Sequence, residues 1–289
     1  MKSIDEGKIE LVRKRQAPQI GEILVNKHGL DADSVAQVLR HSKTSKQSFG
    51  ETAVRLKLVT AAAVDEALAE QFSASYISPE SDSKLDRELV TLFNPNSEKT
   101  HNLRALRTRL SLQSESLSFA VASGKSGEGC SFIAANLAVS FAQIGKKTIL
   151  IDANVHDPRQ HEMFALERTS GLTELVSPRE SAGQHTVNIP SLSALSVMTS
   201  GAMPPNAEEL LCSARGARLI EMLKSQFEVV IVDTPSASVS SMQEWYANQL
   251  GQTLLVVQKH KSRWRETQRL AQRLGAHSNV LGVALTHHK

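Results

Sequence analysis

The segment best suited to chemistry is a loop rich in glycine and serine, which reads GKSGEGCS over residues 124–131. Gly124 and Gly129 have the spacing of the phosphate-binding pattern G-x-x-x-x-G-K-[ST], and Ser131 supplies its hydroxyl ligand for Mg²⁺. Glycines suit such a loop because its backbone N–H groups must turn inward around phosphate oxygens. The dipole of the helix that follows adds positive potential at the same point. The predicted nucleotide-binding residues are Gly124, Lys125, Ser126, Gly127, Glu128, Gly129, Cys130 and Ser131.

The position that normally carries the phosphate-binding lysine is occupied by Cys130. Lys125 lies five residues earlier, where the deviant Walker-type ATPases keep a signature lysine. Lys125 is therefore a candidate catalytic cation, acting within one subunit or across a dimer. A secondary hypothesis is that Cys130, a thiol at a helix N-terminus, has a lowered pKa and is oxidisable. A Gly/Ser loop without chemistry is the alternative interpretation of this segment.

Two apolar runs end in a carboxylate: TILID over residues 148–152 and VVIVD over residues 229–233. An acid at the C-terminal end of a parallel strand lies beside a phosphate-binding loop, where it can hold Mg²⁺ through water. Each aspartate alone could equally cap a helix or form a turn. The loop and both strand ends in this order favour a nucleotide site. The predicted metal-binding residues are Ser131, Asp152 and Asp233.

The elements that must position these residues alternate from residue 119 onward. Short apolar runs are separated by amphipathic helical stretches, which indicates βαβ units. The predicted fold class is α/β, a P-loop NTPase-type mainly parallel sheet with helices on both faces. The predicted strands span residues 119–123, 148–152, 195–198, 229–233, 253–257 and 280–285.

The N-terminal part contains an imperfect repeat that is predicted to be all-helical. Gly21 and Gly50 are offset by 29 residues (50 − 21), and apolar residues recur after each at helical spacing. Each unit reads as a helix, a turn and a second helix. We therefore expect a small all-α repeat domain at 17–72, a linker at 73–99 with an ordered patch at 89–93, and a nucleotide-binding domain at 100–289.

Composition excludes several function classes. A net charge of +3 gives no electrostatic argument for nucleic acid, and none is expected as a partner. Two cysteines are too few for a disulfide scaffold or a zinc site. The N-terminal residues lack the apolar core of a signal peptide, and no apolar window approaches a membrane span. The expected location is the cytoplasm.

Three stretches together resemble a known family: ASGKSGEGCSFIAANLAVSFAQIGKKTILIDANVHDPRQH, SVMTSGAMPPNAEELL and FEVVIVDTP. They resemble the bacterial tyrosine autokinases (BY-kinases) of exopolysaccharide synthesis, in the EpsG-like chain-length-determinant branch. The resemblance runs from about residue 94 to the C-terminus. It implies ATP and Mg²⁺ as cofactors and phosphotyrosine as the product. It also implies a membrane-spanning chain-length regulator as partner, which would hold the protein at the inner membrane.

The resemblance assigns roles to residues that match the family's motifs. Asp152 would organise Mg²⁺ and be the candidate base for a tyrosine hydroxyl, and Asp233 would be the second metal acid. With Lys125 these form the predicted catalytic set. Arg104 and Arg107 match two arginines of a basic helix that assembles such kinases into rings, which implies a homo-oligomer.

Departures from the family pattern affect catalysis. Cys130 replaces the phosphate lysine, and Asn154 replaces a second acid. The chain has two tyrosines, Tyr76 and Tyr246, and no tyrosine cluster near residue 289. We expect weak or partner-dependent kinase activity, because cationic stabilisation contributes strongly to phosphoryl transfer. The alternatives are a nucleotide-gated non-enzymatic scaffold (a pseudokinase) and a partitioning-type positioning ATPase, which fits Lys125.

The N-terminal repeat is similar to the helical N-terminal domain of type II secretion ATPases, some of which bind cyclic di-GMP. Gln19 and Ser48 stand where the phosphate-contacting arginines would be. Protein docking is therefore expected here rather than cyclic di-GMP binding.

Positive charge is concentrated near the last predicted helix. Three of these arginines recur at i+4 and share one face. A solvated helix face is the default interpretation, and contact with anionic lipid, nucleic acid or an acidic regulator tail is the alternative. The residues are Lys259, Lys261, Arg263, Arg265, Arg269 and Arg273.

Overall fold

The computed structural model describes residues 19–45, 47–71, 75–78, 83–113, 117–168, 170–177, 186–189 and 192–287. The predicted start of the repeat domain at residues 17 and 18 lies outside this range, as do residues 72–74 and 79–82 of the predicted boundary and linker. The chain divides into two compact units, Met1–Ser78 and Pro79–Lys289.

The first unit is helical in its described residues, as the repeat predicted. Each half begins alike: the Gln19 N–H donates to Glu22 Oε2 at 3.1 Å, and the Ser48 N–H donates to Glu51 Oε2 at 2.9 Å. Gln19 and Ser48 thus stand at helix N-termini. The first backbone N–H groups of a helix have no partner within the helix and need other acceptors. The helices are α1 (Ile20–His28), α2 (Ala32–Ser45), α3 (Phe49–Arg55) and α4 (Ala61–Gln71).

Gly50 lets two of these helices approach closely. It is buried, and a Cβ at this position would lie 2.6 Å from Val64 Cγ1. Ile23, Leu24 and Ala67 are also buried in the core of this unit. The repeat therefore forms one shared apolar core, because neither half could bury its own face.

The second unit contains a sheet that has seven strands in the described residues. Neighbouring strands are parallel except β3 and β4, which are antiparallel. All six predicted strands are present, and the short β3 was not predicted. The sheet order is β3-β4-β2-β5-β1-β6-β7. The strands are β1 (Leu117–Ser123), β2 (Thr148–Asp152), β3 (Val187–Ile189), β4 (Leu192–Met198), β5 (Val229–Asp233), β6 (Gln252–Gln258) and β7 (Asn279–Thr286).

Helices cover both faces of this sheet, and the central strands β1, β2 and β5 are buried along their whole length. Ala120 and Ala122 of β1 face cores that include residues of α11, α12 and α13, whereas α7 packs on β1, β2, β4 and β5. The predicted α/β fold is confirmed. The helices of this unit are α5 (Val90–Phe93), α6 (Glu98–Ser111), α7 (Cys130–Ala142), α8 (Gln160–Met163), α9 (Leu172–Val176), α10 (Ala207–Leu211), α11 (Ala214–Gln226), α12 (Met242–Leu250) and α13 (Trp264–Gly275).

The second part of the predicted linker is folded into this unit. The Thr91 N–H and hydroxyl both donate to Asn136 Oδ1 at 3.2 Å, and Asn136 Nδ2 donates to the Glu88 carbonyl at 2.9 Å. Leu92 and Phe93 are buried. From residue 83 onward, the stretch assigned to a linker is thus part of the α/β unit.

No helix among the described residues combines the length and the apolar character needed to cross a lipid bilayer.

Candidate nucleotide-binding site

The predicted phosphate-binding loop connects β1 to α7. Gly127 and Gly129 have positive φ angles of 73° and 98°. L-residues with a side chain rarely adopt such angles, so the loop conformation requires glycine at both positions. Gly129 is also the N-cap of α7, which begins at Cys130. The loop, its helix and its strand therefore lie in the predicted order.

Glu128 secures this loop to two distant parts of the chain. Its side chain is 3% exposed, and its Oε2 accepts the Lys125 N–H at 3.0 Å. Its Oε1 accepts the hydroxyl of Ser262, and its backbone carbonyl accepts the hydroxyl of Thr286 at 2.7 Å. Ser262 and Thr286 were not predicted as site residues. Glu128 thus ties the loop to the end of β7 and to the residues before α13.

The two predicted acids lie side by side. Asp152 and Asp233 are paired positions at the ends of the parallel strands β2 and β5, and both are fully buried. The Oδ2 atom of Asp152 accepts the N–H groups of Arg159 and Gln160, each at 3.0 Å. The Asn154 N–H donates to the Oδ1 atom of Asp152 at 3.2 Å. Asp152 is therefore held by backbone donors of the turn that follows its own strand.

Gln160 connects the acid pair to the loop. Its Nε2 donates to Asp233 Oδ2 at 2.8 Å and to the Ser131 carbonyl at 3.2 Å. The other oxygen of Asp233, Oδ1, is buried and has no hydrogen-bond partner. Sequence reasoning missed Gln160. An acceptor left unsatisfied in a buried site is costly, and a cation would satisfy it.

Burial shapes the electrostatics of this pair. Desolvation raises the pKa of Asp233 to about 6, although hydrogen bonds from Gln160 and Ser131 oppose the shift. Desolvation, reinforced by the charge of Asp233, raises the pKa of Asp152 well above its usual value. Two adjacent buried carboxylates that need neutralisation are suited to a divalent cation.

The oxygen ligands available at this site suit Mg²⁺ better than a metal ion whose ligands are all protein side chains. Among the described residues, no three His, Cys, Asp or Glu side chains form a metal-binding group. Mg²⁺ typically takes one or two carboxylates together with phosphate oxygens and water. Asp152, Asp233 and the Ser131 hydroxyl provide that kind of partial shell beside the loop.

The predicted lysine is present at the loop but is ion-paired. Lys125 Nζ lies 2.8 Å from Glu266 Oε2 on α13. A different lysine, Lys261, also reaches the loop, where its Nζ donates to the Ser126 carbonyl at 2.8 Å. The predicted lowering of the Cys130 pKa is wrong: desolvation, together with the charges of Asp233 and Glu128, raises it. The Cys130 thiol is therefore neutral at physiological pH.

The arginines predicted for oligomerisation make hydrogen bonds within the unit. Arg104 Nη1 donates to the Pro95 carbonyl at 3.0 Å. Arg107 Nη1 donates to the carbonyl and the hydroxyl of Ser140 at 3.2 and 3.3 Å. These contacts attach α6 to its neighbours, and a role in oligomerisation stays a prediction.

Asn154, which stands at the second acid position, has a local role. Its Nδ2 donates to the Asp157 carbonyl at 2.8 Å, and its Oδ1 accepts the Asp157 N–H at 3.3 Å. These bonds close the turn after β2. Asn154 therefore shapes the backbone whose donors hold Asp152.

The parallel sheet, the glycine loop and the two strand-end acids define a P-loop NTPase. In agreement, a family model described as "ParA: NUBPL iron-transfer P-loop NTPase" matches residues 116–241. More specifically, the chain belongs to the bacterial tyrosine-protein kinase family. It is 33% identical to tyrosine-protein kinase YwqD of Bacillus subtilis over 211 residues, which are 72% of this chain and 89% of that protein. It is 30% identical to putative tyrosine-protein kinase CapB of Staphylococcus aureus, over 66% of this chain and 85% of that protein.

Solved structures agree with this assignment. The kinase domain of Escherichia coli tyrosine kinase ETK superposes with a TM-score of 0.66 and 26% identity, over 72% of this chain and 82% of that one. The chimerical protein CapA2B2 superposes with a TM-score of 0.64 and 26% identity, over 78% of this chain and 98% of that one. The resemblance to tyrosine kinases is confirmed. The resemblance of the N-terminal repeat to secretion ATPases stays a prediction.

Proposed function

We propose that this chain is an ATP-binding tyrosine-protein autokinase that regulates the chain length and export of an exopolysaccharide, with weak or partner-dependent catalysis. The reaction is ATP plus protein tyrosine to ADP plus phosphotyrosine. The observation that carries the proposal is the buried pair Asp152 and Asp233, whose unsatisfied oxygen lies beside the glycine loop. Relatives named tyrosine-protein kinases support it, one of them from the cps region of Klebsiella pneumoniae.

Different residues of the site have different roles in the proposed phosphoryl transfer. Backbone N–H groups of residues 124–131 would bind the phosphates, and Ser131, Asp152 and Asp233 would hold Mg²⁺. When bound, Mg²⁺ neutralises charge that develops on the phosphate oxygens. Asp152 accepts the proton of the attacking tyrosine hydroxyl, a role that suits a carboxylate whose pKa burial raises well above its usual value.

Tyr246 of the α/β unit is not the phosphate acceptor in this proposal. It lies on α12 and is 1% exposed, so its hydroxyl is enclosed while the unit is folded. Burial also raises the pKa of Tyr246. We therefore place the acceptor at Tyr76 or on a second protein, which fits a kinase that acts with a partner.

The partner in this proposal is a membrane-spanning chain-length regulator, which would hold the cytoplasmic kinase at the inner membrane. A solved chimera titled CapA2B2 resembles this chain over 98% of its own length, which supports a kinase joined to a second component. A homo-oligomer through Arg104 and Arg107 is part of the same proposal. The proposal includes no cyclic di-GMP site.

A single experiment tests the function. The purified chain is incubated with MgATP and a synthetic Glu/Tyr copolymer, with and without the regulator's cytoplasmic tail, and phosphotyrosine is measured. We expect product that requires the tail and disappears in Asp152→Asn, while the exposed Asp157→Asn behaves as the wild type. If the chain binds MgATP but makes no phosphotyrosine in either condition, the result favours the alternative, a nucleotide-gated non-enzymatic scaffold.

The scaffold is a real second candidate because of Cys130. This position lacks the cation that P-loop enzymes use, and the raised pKa of the thiol offers no replacement chemistry. The partitioning-type ATPase is less well supported. Its signature lysine would act across a dimer, whereas Lys125 is paired with Glu266 of its own chain.

A further inference from the structure

A lysine that does not belong to the loop lies directly over it. The Nζ atom of Lys261 donates to the Ser126 carbonyl at 2.8 Å, and it lies 2.9 Å from the point that a Cβ on Gly127 would occupy. Lys261 comes from residues 259–263, which connect β6 to α13; we call them the connecting segment. It lies 135 residues from Ser126 along the chain. A second cation therefore reaches the loop that lacks its lysine at Cys130.

The backbone of the connecting segment fixes where Lys261 starts. The N–H groups of Lys261 and Ser262 donate to the Gln258 carbonyl at 3.2 and 3.0 Å, and the Lys259 N–H donates to the Thr286 carbonyl at 2.8 Å. This tight turn keeps the Lys261 Cα beside the loop. The long, flexible side chain of lysine can then move its charge without moving the backbone.

The two lysines at the loop differ in how their charge is balanced. Lys125 is neutralised by Glu266 at 2.8 Å. No carboxylate in the described part of the chain forms an ion pair with Lys261, whose acceptor is a neutral carbonyl. Exchanging an exposed hydrogen bond to a carbonyl for contact with a phosphate is favourable, because charge-assisted bonds are stronger than bonds to neutral groups.

We propose that Lys261 is the phosphate-binding cation of this site and replaces the lysine missing at position 130. On nucleotide binding its ammonium group leaves the Ser126 carbonyl and contacts the terminal phosphate oxygens. Gly127 is required in this arrangement for its positive φ, and a Cβ there would displace the Lys261 ammonium group from its present position. The inference rests on the proposed nucleotide site.

Calorimetric titration of MgATP and MgADP into the whole chain tests the inference. Lys261→Met is expected to raise the Kd for MgATP about tenfold or more and the Kd for MgADP less, since the lost charge faces the terminal phosphate. Lys261→Arg keeps most of the affinity. The matched control is Lys259→Met, an exposed lysine of the same segment, which leaves both values unchanged.

A second variant separates phosphate binding from a role in holding the loop. Cys130→Lys restores the usual cation, so adding Lys261→Met to it should change the Kd for MgATP less than about twofold. A loop-holding role would instead give the same loss in both backgrounds. Thermal unfolding shows whether Cys130→Lys is folded; if it is not, the comparison of MgATP with MgADP decides alone.

The outcomes separate the two proposals. Wild-type protein that binds neither nucleotide overturns the proposed function. Wild-type protein that binds MgATP while Lys261→Met binds it equally well overturns only the role of Lys261. Equal losses for MgATP and MgADP, unchanged in the Cys130→Lys background, also overturn it.

Discussion

Asp152 and Asp233 occupy paired positions at the ends of two neighbouring parallel strands, and both are fully buried. Asp152 is supplied with three backbone donors, whereas Asp233 has an oxygen with no partner. The protein thus stabilises one acid with its own backbone and leaves the other incomplete. This asymmetry fits a metal ion that binds on the side of Asp233.

Removing the Gln160 amide should destabilise the site without removing an acid. Gln160→Ala takes away the donor to Asp233 Oδ2 and leaves this buried carboxylate with still fewer partners. We expect a loss of about 1–3 kcal/mol in the free energy of unfolding, which urea denaturation measures. The control is Gln272→Ala on the exposed side of α13, expected to change stability by less than about 0.5 kcal/mol. Equal stability of Gln160→Ala and wild type would contradict the assigned role.

The raised pKa of Asp233 predicts an unusual pH dependence in metal-free protein. An acid with a pKa near 3.8 when unfolded and about 6 when folded binds more protons in the folded state between these values. Its contribution to stability is therefore present at low pH and is lost as the pH rises through 6. For one group this amounts to about 2 kcal/mol between pH 4 and pH 8.

Urea denaturation of wild type and Asp233→Asn across that pH range measures this contribution together with the part of the Asp152 pKa shift that the charge of Asp233 causes. We expect Asp233→Asn to gain stability relative to wild type as the pH rises. Adding Mg²⁺ and nucleotide should favour the wild type, since both need the ionised acid. Asp33→Asn, at an exposed aspartate of the first unit, is the control and should follow the wild type throughout. A constant difference between wild type and Asp233→Asn would rule out the raised pKa.

Parts of the fold were predictable where a local sequence pattern is typical of a single strand or helix. The strands that end at Asp152 and Asp233 are continuous apolar runs, and such runs are typical of strands buried on both faces. β3 was missed because it has three residues, two of them exposed. The repeat of the first unit was visible because both halves use the same helix start.

The site was predictable only in part, for a physical reason. Loop glycines and strand-end acids have a local spacing, so they can be recognised in sequence. Gln160 lies 73 residues from Asp233, and Ser262 lies 134 residues from Glu128. Such pairs form only when the sheet brings distant segments together, and neither residue belongs to a local pattern. The Cys130 hypothesis failed because burial and the nearby charges of Asp233 and Glu128, which the local sequence does not reveal, raise the pKa of the thiol.

Tyrosine replacement should locate the phosphate acceptor. Tyr246→Phe is expected to leave phosphotyrosine formation unchanged, because the hydroxyl is buried inside the folded unit. Tyr76→Phe should remove any autophosphorylation while leaving transfer to the copolymer intact. Intact-mass spectrometry of the chain after incubation with MgATP measures autophosphorylation, and a phosphotyrosine antibody measures transfer to the copolymer. Phosphate found on Tyr246 of folded protein would show that α12 opens and would contradict this prediction.

The bond between Glu128 and Ser262 should be detectable as an energetic coupling. Glu128 is buried, and its carboxylate accepts the Lys125 N–H and the Ser262 hydroxyl. Glu128→Ala leaves both donors without an acceptor and should cost about 1–3 kcal/mol, and Ser262→Ala should cost about 1 kcal/mol. Because Ser262 Oγ also accepts the Gln258 N–H at 2.9 Å, the double variant should cost more than Glu128→Ala alone but less than the sum of the two single variants.

Urea denaturation of these three variants gives the coupling energy, and hydrogen exchange of residues 124–131 shows where it acts. Exchange in the loop should rise in Glu128→Ala and Ser262→Ala alike, because each releases the loop from the connecting segment. Ser225→Ala serves as a control, since its hydroxyl bonds only to a carbonyl one turn away in α11. Costs that simply add would mean that Glu128 and Ser262 stabilise the protein independently. The connecting segment would then not hold the loop through this bond, although Lys261 could still reach it.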